Sequence, residues 1–213
     1  MGGLVNMSNI KVFISYYHKD DQGYKDELAT LNKTYRMFID NSVDTGDIDD
    51  EEMTDEQIRV KIRDEYIKDT DVFVLLCGKN TKHRKHIDWE IHAAMYKNKD
   101  KKPIPILILN LPSSNNRQRR NTDVEREIIE NHTSKPVGWV TLSSYSEFKE
   151  AFPDLPERIV KSLSNKKSPI TIVNYSGLYT NELETLIKEA YARRNNYEYD
   201  DSTPLRRKDG KDE

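Results

Sequence analysis

The sequence predicts a doubly wound α/β fold, a parallel sheet covered by helices on both faces. Three strand-length apolar runs, "IKVFISYY", "DVFVLLC" and "KPIPILILNL", show no helical period and read as strands buried on both sides. Amphipathic helical patterns separate them over short links, and that alternation of β and α segments is the signature of a parallel sheet with helices on both faces.

Ile10 to Tyr17 is the first strand, β-rich and aromatic. The chain then turns polar and enters a helix from about Tyr24 to Tyr35. "RMFIDNS" is a second, short strand ending at Asp40 and Asn41, and the loop after it, "VDTGDIDDEEMT", carries six acids and one glycine. Thr54 or Asp55 caps the next helix, whose Ile58, Ile62 and Ile67 interrupt charged residues. Asp71 to Cys77 is the third strand, "GKNTKHRK" a polar loop, Lys85 to Lys99 a helix, and Lys102 to Leu111 the fourth strand. Beyond it, "SSNNRQRRNTDVEREIIENHTS" reads as a polar insertion with one turn of helix. Pro136 to Leu142 is the expected fifth strand, followed by a helix broken at Pro153 and Pro156. "SPITIVNYSG" is a sixth, edge strand, and a helix from about Tyr179 to Arg194 places Leu183, Leu186, Ile187 and Ala190 on one face. The expected division is a domain over 8–165, a strand-helix extension over 166–195, and a charged, disordered tail over 196–213.

The 213 residues are 33% charged and 35% hydrophobic with a net charge of −3, acids and bases being mixed along the chain. That balance gives no general attraction to nucleic acid or anionic membrane. The one basic cluster, Arg117, Arg119, Arg120 and Arg126, has no interleaved aromatic residues to stack bases. The longest apolar runs are far short of a membrane span, and the opening "MGGLVNMSN" lacks a secretory apolar region. Cys77 is the single cysteine, which suits a reducing compartment. A cytoplasmic location is expected.

In a doubly wound sheet, sites form beyond the carboxyl ends of the strands where the strand order reverses. For a flavodoxin-like order that point lies between strands one and three. It gathers Ser15, Tyr16 and Tyr17 from the end of strand one, Asp40 and Asn41 from strand two, and the helix after strand three. In that helix Ile87, Ile91, Ala94 and Met95 form one apolar stripe. Glu90 lies about 85° from its centre, close enough to the packed face to be shielded yet still reachable. The same residue, with Asp88, also fits an ordinary acidic first turn that favours the helix dipole. Tyr16 and Tyr17 point to opposite sides of the strand, so one should pack inward and the other reach the crevice. Trp89 points nearly opposite the stripe and needs a substrate, a partner or the first-strand loop to cover it. His86 and Glu90, spaced i, i+4, match no known metal-ligand set, and no metal is expected. No GxGxxG follows strand one and no GxxxxGK[ST] exists, so a nucleotide bound here must be gripped by aromatic and other side chains. No aspartate ends strand three, as a receiver domain requires.

On these residues the chain resembles the Toll/interleukin-1 receptor (TIR) domain family, in particular the TIR-like proteins of bacterial Thoeris antiphage defence. "VFISYYHKDD" looks like the first TIR box, and "HIDWEIHAAM" like the segment that carries the catalytic glutamate, with Glu90 at its position. The resemblance spans about residues 10 to 142. Two departures stand out. His86 occupies the place, four residues before the glutamate, where TIR enzymes usually have Trp, and the loop after strand two lacks the Arg-Asp…Pro-Gly pattern of receptor and adaptor TIRs.

The resemblance implies cleavage of the nicotinamide–ribose bond of NAD+, with NAD+ as substrate and no further cofactor. Nicotinamide leaves as a neutral molecule, so no general acid is needed, and one carboxylate can stabilise an oxocarbenium-like transition state. Glu90 takes that role. Tyr16 or Tyr17 stacks on a ring of the substrate, Asp40 and Ser15 bind ribose hydroxyls, and Asn41, His86 and Trp89 complete the expected substrate-binding set. Exclusion of water would give a cyclic ADP-ribose isomer that signals to a separate effector protein. A homo-oligomer is implied by the assembly of TIR enzymes. Two other readings stay open on the residues alone: a TIR-like module that only self-associates, and an N-glycosidase of the nucleoside deoxyribosyltransferase kind.

Overall fold

The computed structural model describes residues 9–42, 53–97, 102–132, 142–166, 168–195 and 198–210. Among these residues the centre is a five-stranded, all-parallel sheet in the order β2-β1-β3-β4-β5. The strands are β1 (Lys11–Ser15), β2 (Ile39–Asp40), β3 (Val72–Cys77), β4 (Ile106–Asn110) and β5 (Thr171–Asn174). Every residue of β3 and β4 is buried, as the unbroken apolar runs require.

Side chains alternate across this sheet and divide the core in two. Phe13, Phe73, Leu75, Ile106, Ile108 and Ile172 face one way, against α2 (Asp55–Lys61), α3 (Lys85–Met95), α5 (Tyr145–Ala151) and α6 (Glu157–Lys166). Val12, Ile14, Val74, Leu107, Leu109 and Val173 face the other, against α1 (His18–Tyr35), α4 (Asp123–Asn131) and α7 (Thr180–Ala192). The Phe13 and Phe73 rings stack at 5.6 Å, which reinforces the β1–β3 pairing below the point where the strand order reverses.

Local chemistry explains the helix ends. The Thr54 hydroxyl accepts the Gln57 amide while the Gln57 side chain accepts the Thr54 amide, a reciprocal cap that starts α2. Thr122 with Glu125, and Ser144 with Glu147, repeat it at α4 and α5. Pro153 and Pro156 fall in the break between α5 and α6, where a missing amide donor costs no helical bond. α2 runs into a π-helical turn, Ile62–Tyr66, which swings Ile62 and Ile67 onto the sheet.

Three expectations meet different outcomes. The expected fifth strand, Pro136 to Leu142, lies almost wholly outside the described residues. The segment 166–195, read as an extension, is built into the sheet: Thr171–Asn174 pairs in parallel with β4, and α7 buries Leu183, Leu186, Ile187 and Ala190 in the core. The apolar edge of β4 needs a partner strand, and this segment supplies one. The charged tail also departs from expectation. Residues 198–210 lie along α3 and α6, because the backbone groups of the tail are matched by Asp88 on α3, Arg158 and Ser162 on α6, and Ser168 just beyond it.

The main anchor of that packing is Arg158 on α6, which is fully buried. Its Nε and one terminal nitrogen reach the two carboxylate oxygens of Asp88, each at 3.1 Å, and it also donates to the carbonyls of Thr203 and Pro204. A buried ion pair stripped of one partner leaves an uncompensated charge. Arg158→Ala should therefore lower the unfolding free energy by about 3–5 kcal/mol. Urea denaturation of the two proteins measures it, and a loss below about 1 kcal/mol would contradict the assignment.

Candidate active site

The site is built where β1 ends beside α3. Ser15, paired in register with Leu75, is the last residue of its strand and points toward the α3 side, as Phe13 does two residues earlier. It is 2% exposed, and its hydroxyl donates to Glu90 Oε2 at 2.6 Å. α3 is held by Ile87, Ile91, Ala94 and Met95, all buried, with Glu90 at the edge of that stripe. Protein atoms enclose Glu90, yet an edge of it stays accessible.

This placement sets the electrostatics. Burial pushes the Glu90 carboxyl up to about 7, and the Ser15 hydrogen bond pulls the other way. The group is thus poised to exchange a proton near neutral pH. Two further residues reach the same rim. The Arg84 guanidinium lies 4.0 Å above the Tyr17 ring. His18, at the start of α1, is held below the usual imidazole range by burial and then by the nearby His86.

The two tyrosines separate as alternation requires. Tyr16 is buried in the α1-side core, where its hydroxyl donates to Gln22 at 2.9 Å and its ring stacks on His18 at 4.3 Å. Tyr17 packs beside the α3-side core under Arg84. Asp40 sits one strand away. Burial raises its carboxyl, but hydrogen bonds from Lys25 and Ser42 outweigh this and hold it below the ordinary range. Ser42 in turn accepts the Ile14 amide at 2.9 Å, so Asp40 organises the end of β2. Both amide hydrogens of Asn41 are used, on the Tyr66 carbonyl and the Thr70 hydroxyl at 3.0 and 3.1 Å, which ties it to the π turn. Trp89 is 3% exposed and turns toward the tail: its indole nitrogen donates to the Arg206 carbonyl at 2.9 Å, and Lys85 and Arg59 lie over the ring. The cover that Trp89 needs, expected from a substrate, a partner or the first-strand loop, comes from residues 198–210, and His86 packs against the same ring at 5.1 Å.

Of the residues singled out in the sequence, Ser15 and Glu90 touch, Tyr17 lies under Arg84, His86 lies near His18, and Tyr16, Asp40, Asn41 and Trp89 have their polar groups engaged elsewhere. Sequence reasoning passed over Arg84, His18 and Asp21. Asp21 is 3% exposed, and burial followed by the charge of Asp20 raises its carboxyl to about 6. It presses on Gly78 so closely that a Cβ there would come within 2.8 Å of its oxygen, which explains a glycine straight after β3. The doubled acid of "HKDD" was the available signal.

Among known families, residues 13–116 match the one described as Thoeris protein ThsB, TIR-like domain. No curated protein matches the chain.

Stability should report the buried carboxylate. Between pH 4.5 and about 7 the folded chain keeps on Glu90 a proton that the unfolded chain has released, so stability falls as pH rises through that window. Glu90→Gln removes the ionisation. It should be more stable than the wild type at about pH 8 by roughly 1–3 kcal/mol, a range discounted for partial exposure, and lose that advantage near pH 4.5. Urea denaturation at the two pH values decides it.

Proposed function

Because residues 13–116 match the TIR-like domain of the Thoeris protein ThsB, we propose that this chain cleaves the bond between nicotinamide and ribose in NAD+, with Glu90 as the catalytic carboxylate. The family gives the chain a TIR-type role in Thoeris antiphage defence. The observation that carries the enzymatic reading is the Ser15–Glu90 pair, a raised carboxyl fixed at 2.6 Å by a buried hydroxyl and still open on one edge.

The chemistry asks little of the protein beyond that pair. The C–N bond to the pyridinium breaks and its electrons return to the ring nitrogen, so nicotinamide departs neutral. Positive charge develops on the ribose, and the ionised Glu90 opposes it through space. A nucleophile then bonds to the anomeric carbon and gives up its proton, for which a carboxylate with a pKa near 7 is a suitable acceptor. Water yields ADP-ribose; a nucleophilic atom from elsewhere in the same molecule yields a cyclic isomer, which would act as the signal to a separate effector. Ser15 keeps one Glu90 oxygen occupied and aims the other at the ribose. Tyr17, held flat by Arg84, offers a face for one ring of the substrate.

Incubation of concentrated protein with NAD+, followed by chromatography and mass, tests the reading. The wild type should release nicotinamide, the rate should climb with pH toward a plateau above about 7, and Glu90→Gln should lose roughly 10²–10³ in rate or more. Ser15→Ala, which removes the bond that favours ionisation, should move the rising limb to higher pH. Release that survives Glu90→Gln would contradict the site. A nucleobase freed from a nucleoside, without nicotinamide, would favour the deoxyribosyltransferase-like alternative, and no release by the wild type would favour the self-association module.

A further inference from the structure

We propose that residues 198–210 form a strap that positions the catalytic helix, with Asp209 supplying the N-terminal cap that α3 lacks in its own sequence. The inference rests on reading Glu90 as the catalytic carboxylate. α2, α4 and α5 each start on a Thr or Ser that accepts a first-turn amide, whereas α3, like α1, starts on a residue whose side chain makes no cap hydrogen bond, here Arg84. First-turn amides have no partner within a helix and need one from outside. Here it comes from more than a hundred residues away. Asp209 Oδ1 accepts the Lys85 amide at 2.6 Å, its other oxygen lies 3.6 Å from the Arg84 guanidinium, and the Gly210 amide donates to the His83 carbonyl at 3.1 Å. A carboxylate at that end also complements the helix dipole.

The strap then grips the two residues that precede Glu90. The Arg206 amide donates to Asp88 Oδ2 and the Arg206 carbonyl accepts from the Trp89 indole, both at 2.9 Å. Asp88 cannot turn, because Arg158 holds both its oxygens and reaches the strap itself at Thr203 and Pro204. Further back, the Tyr199 hydroxyl donates to the Ile104 carbonyl and the Asp200 amide to Ser162, which fixes the far end on α6 and the lead-in to β4. α3 is therefore pinned at its start and along the side away from Ser15. Rotation of the helix about its axis is the motion that would separate Glu90 from Ser15, and these contacts oppose it. Arg84 links the strap to the end of β1, paired with Asp209 on one side and lying over Tyr17 on the other. The strap lies wholly outside the matched residues 13–116.

The test compares the wild type with a chain ended after Leu205, with Asp209→Ala and with Asp209→Asn, each checked for retained fold by circular dichroism and thermal unfolding. Two readouts are needed. The titration of Glu90, followed through its side-chain carboxyl carbon by NMR, needs no substrate. The kinetics of nicotinamide release separate kcat from KM. Without residues 206–213, α3 can turn and admit water to Glu90, so its apparent pKa should fall from about 7 by a unit or more, while kcat drops roughly tenfold or more with KM within about twofold. Asp209→Ala should move the same way, and Asp209→Asn, which keeps the capping oxygen, should stay with the wild type. A folded chain ended after Leu205 whose Glu90 titration and kcat match the wild type would overturn the proposal, as would an Asp209→Asn protein that behaves like Asp209→Ala. If the wild type releases no nicotinamide, the catalytic reading fails separately, and the Glu90 titration alone decides the strap.

Discussion

The alternation of side chains along β1 is the constraint on which the candidate site depends. Successive residues of a strand face opposite sides of a sheet. Because Phe13 must pack toward α3 and Ile14 toward α1, Ser15 has no choice but to face α3, and Tyr16 none but to enter the opposite core. A slip of one residue would put a tyrosine where the small hydroxyl meets Glu90 and would bury Ser15 without that partner. The parallel pairing of β1 with β3 fixes the register, and the Phe13–Phe73 stack one turn of the pleat below resists its loss.

Placed this way, Glu90 is held against its own preference for water. A carboxyl raised to about 7 is a local cost to stability, tolerated because α3 is anchored on nearly every side by buried groups. The cost falls where the proposed chemistry needs it. A carboxylate shielded from solvent acts on a developing positive charge with more force than one in water, and a pKa near neutrality lets the same group accept a proton. The neighbouring polar groups serve the frame: Asp40 and Asn41 knit β2 to β1 and to the π turn, and Asp21 packs against Gly78 at the end of β3.

Much of this was legible in the sequence, and what was not has physical causes. Buried parallel strands announce themselves as unbroken apolar runs, so β1, β3 and β4 and the helices between them were readable, as was the reversal of strand order between β1 and β3. Glu90 was legible from its angle to the Ile87–Met95 stripe and from its resemblance to the TIR glutamate segment. Thr171–Asn174 falls inside "SPITIVNYSG", which reads as an edge strand; that it is the direct neighbour of β4 and part of the same core depends on pairing rather than on any local pattern. The tail was read as disordered from its charge. Its order comes from specific partners, Arg158, Asp88 and Trp89, that lie far away in sequence and carry no local signal. Asp40 and Asn41 lie at the end of strand two, as expected, but their side chains are committed to neighbours that only the folded chain brings close.

The most direct test of the account is the crystal structure of the Glu90→Gln protein with NAD+ bound, since the variant keeps the shape of the site while slowing turnover. The account predicts the nicotinamide ribose within hydrogen-bond reach of residue 90 and beside Ser15, with one ring of the substrate against Tyr17. NAD+ bound with its nicotinamide ribose away from α3 and the end of β1 would contradict it.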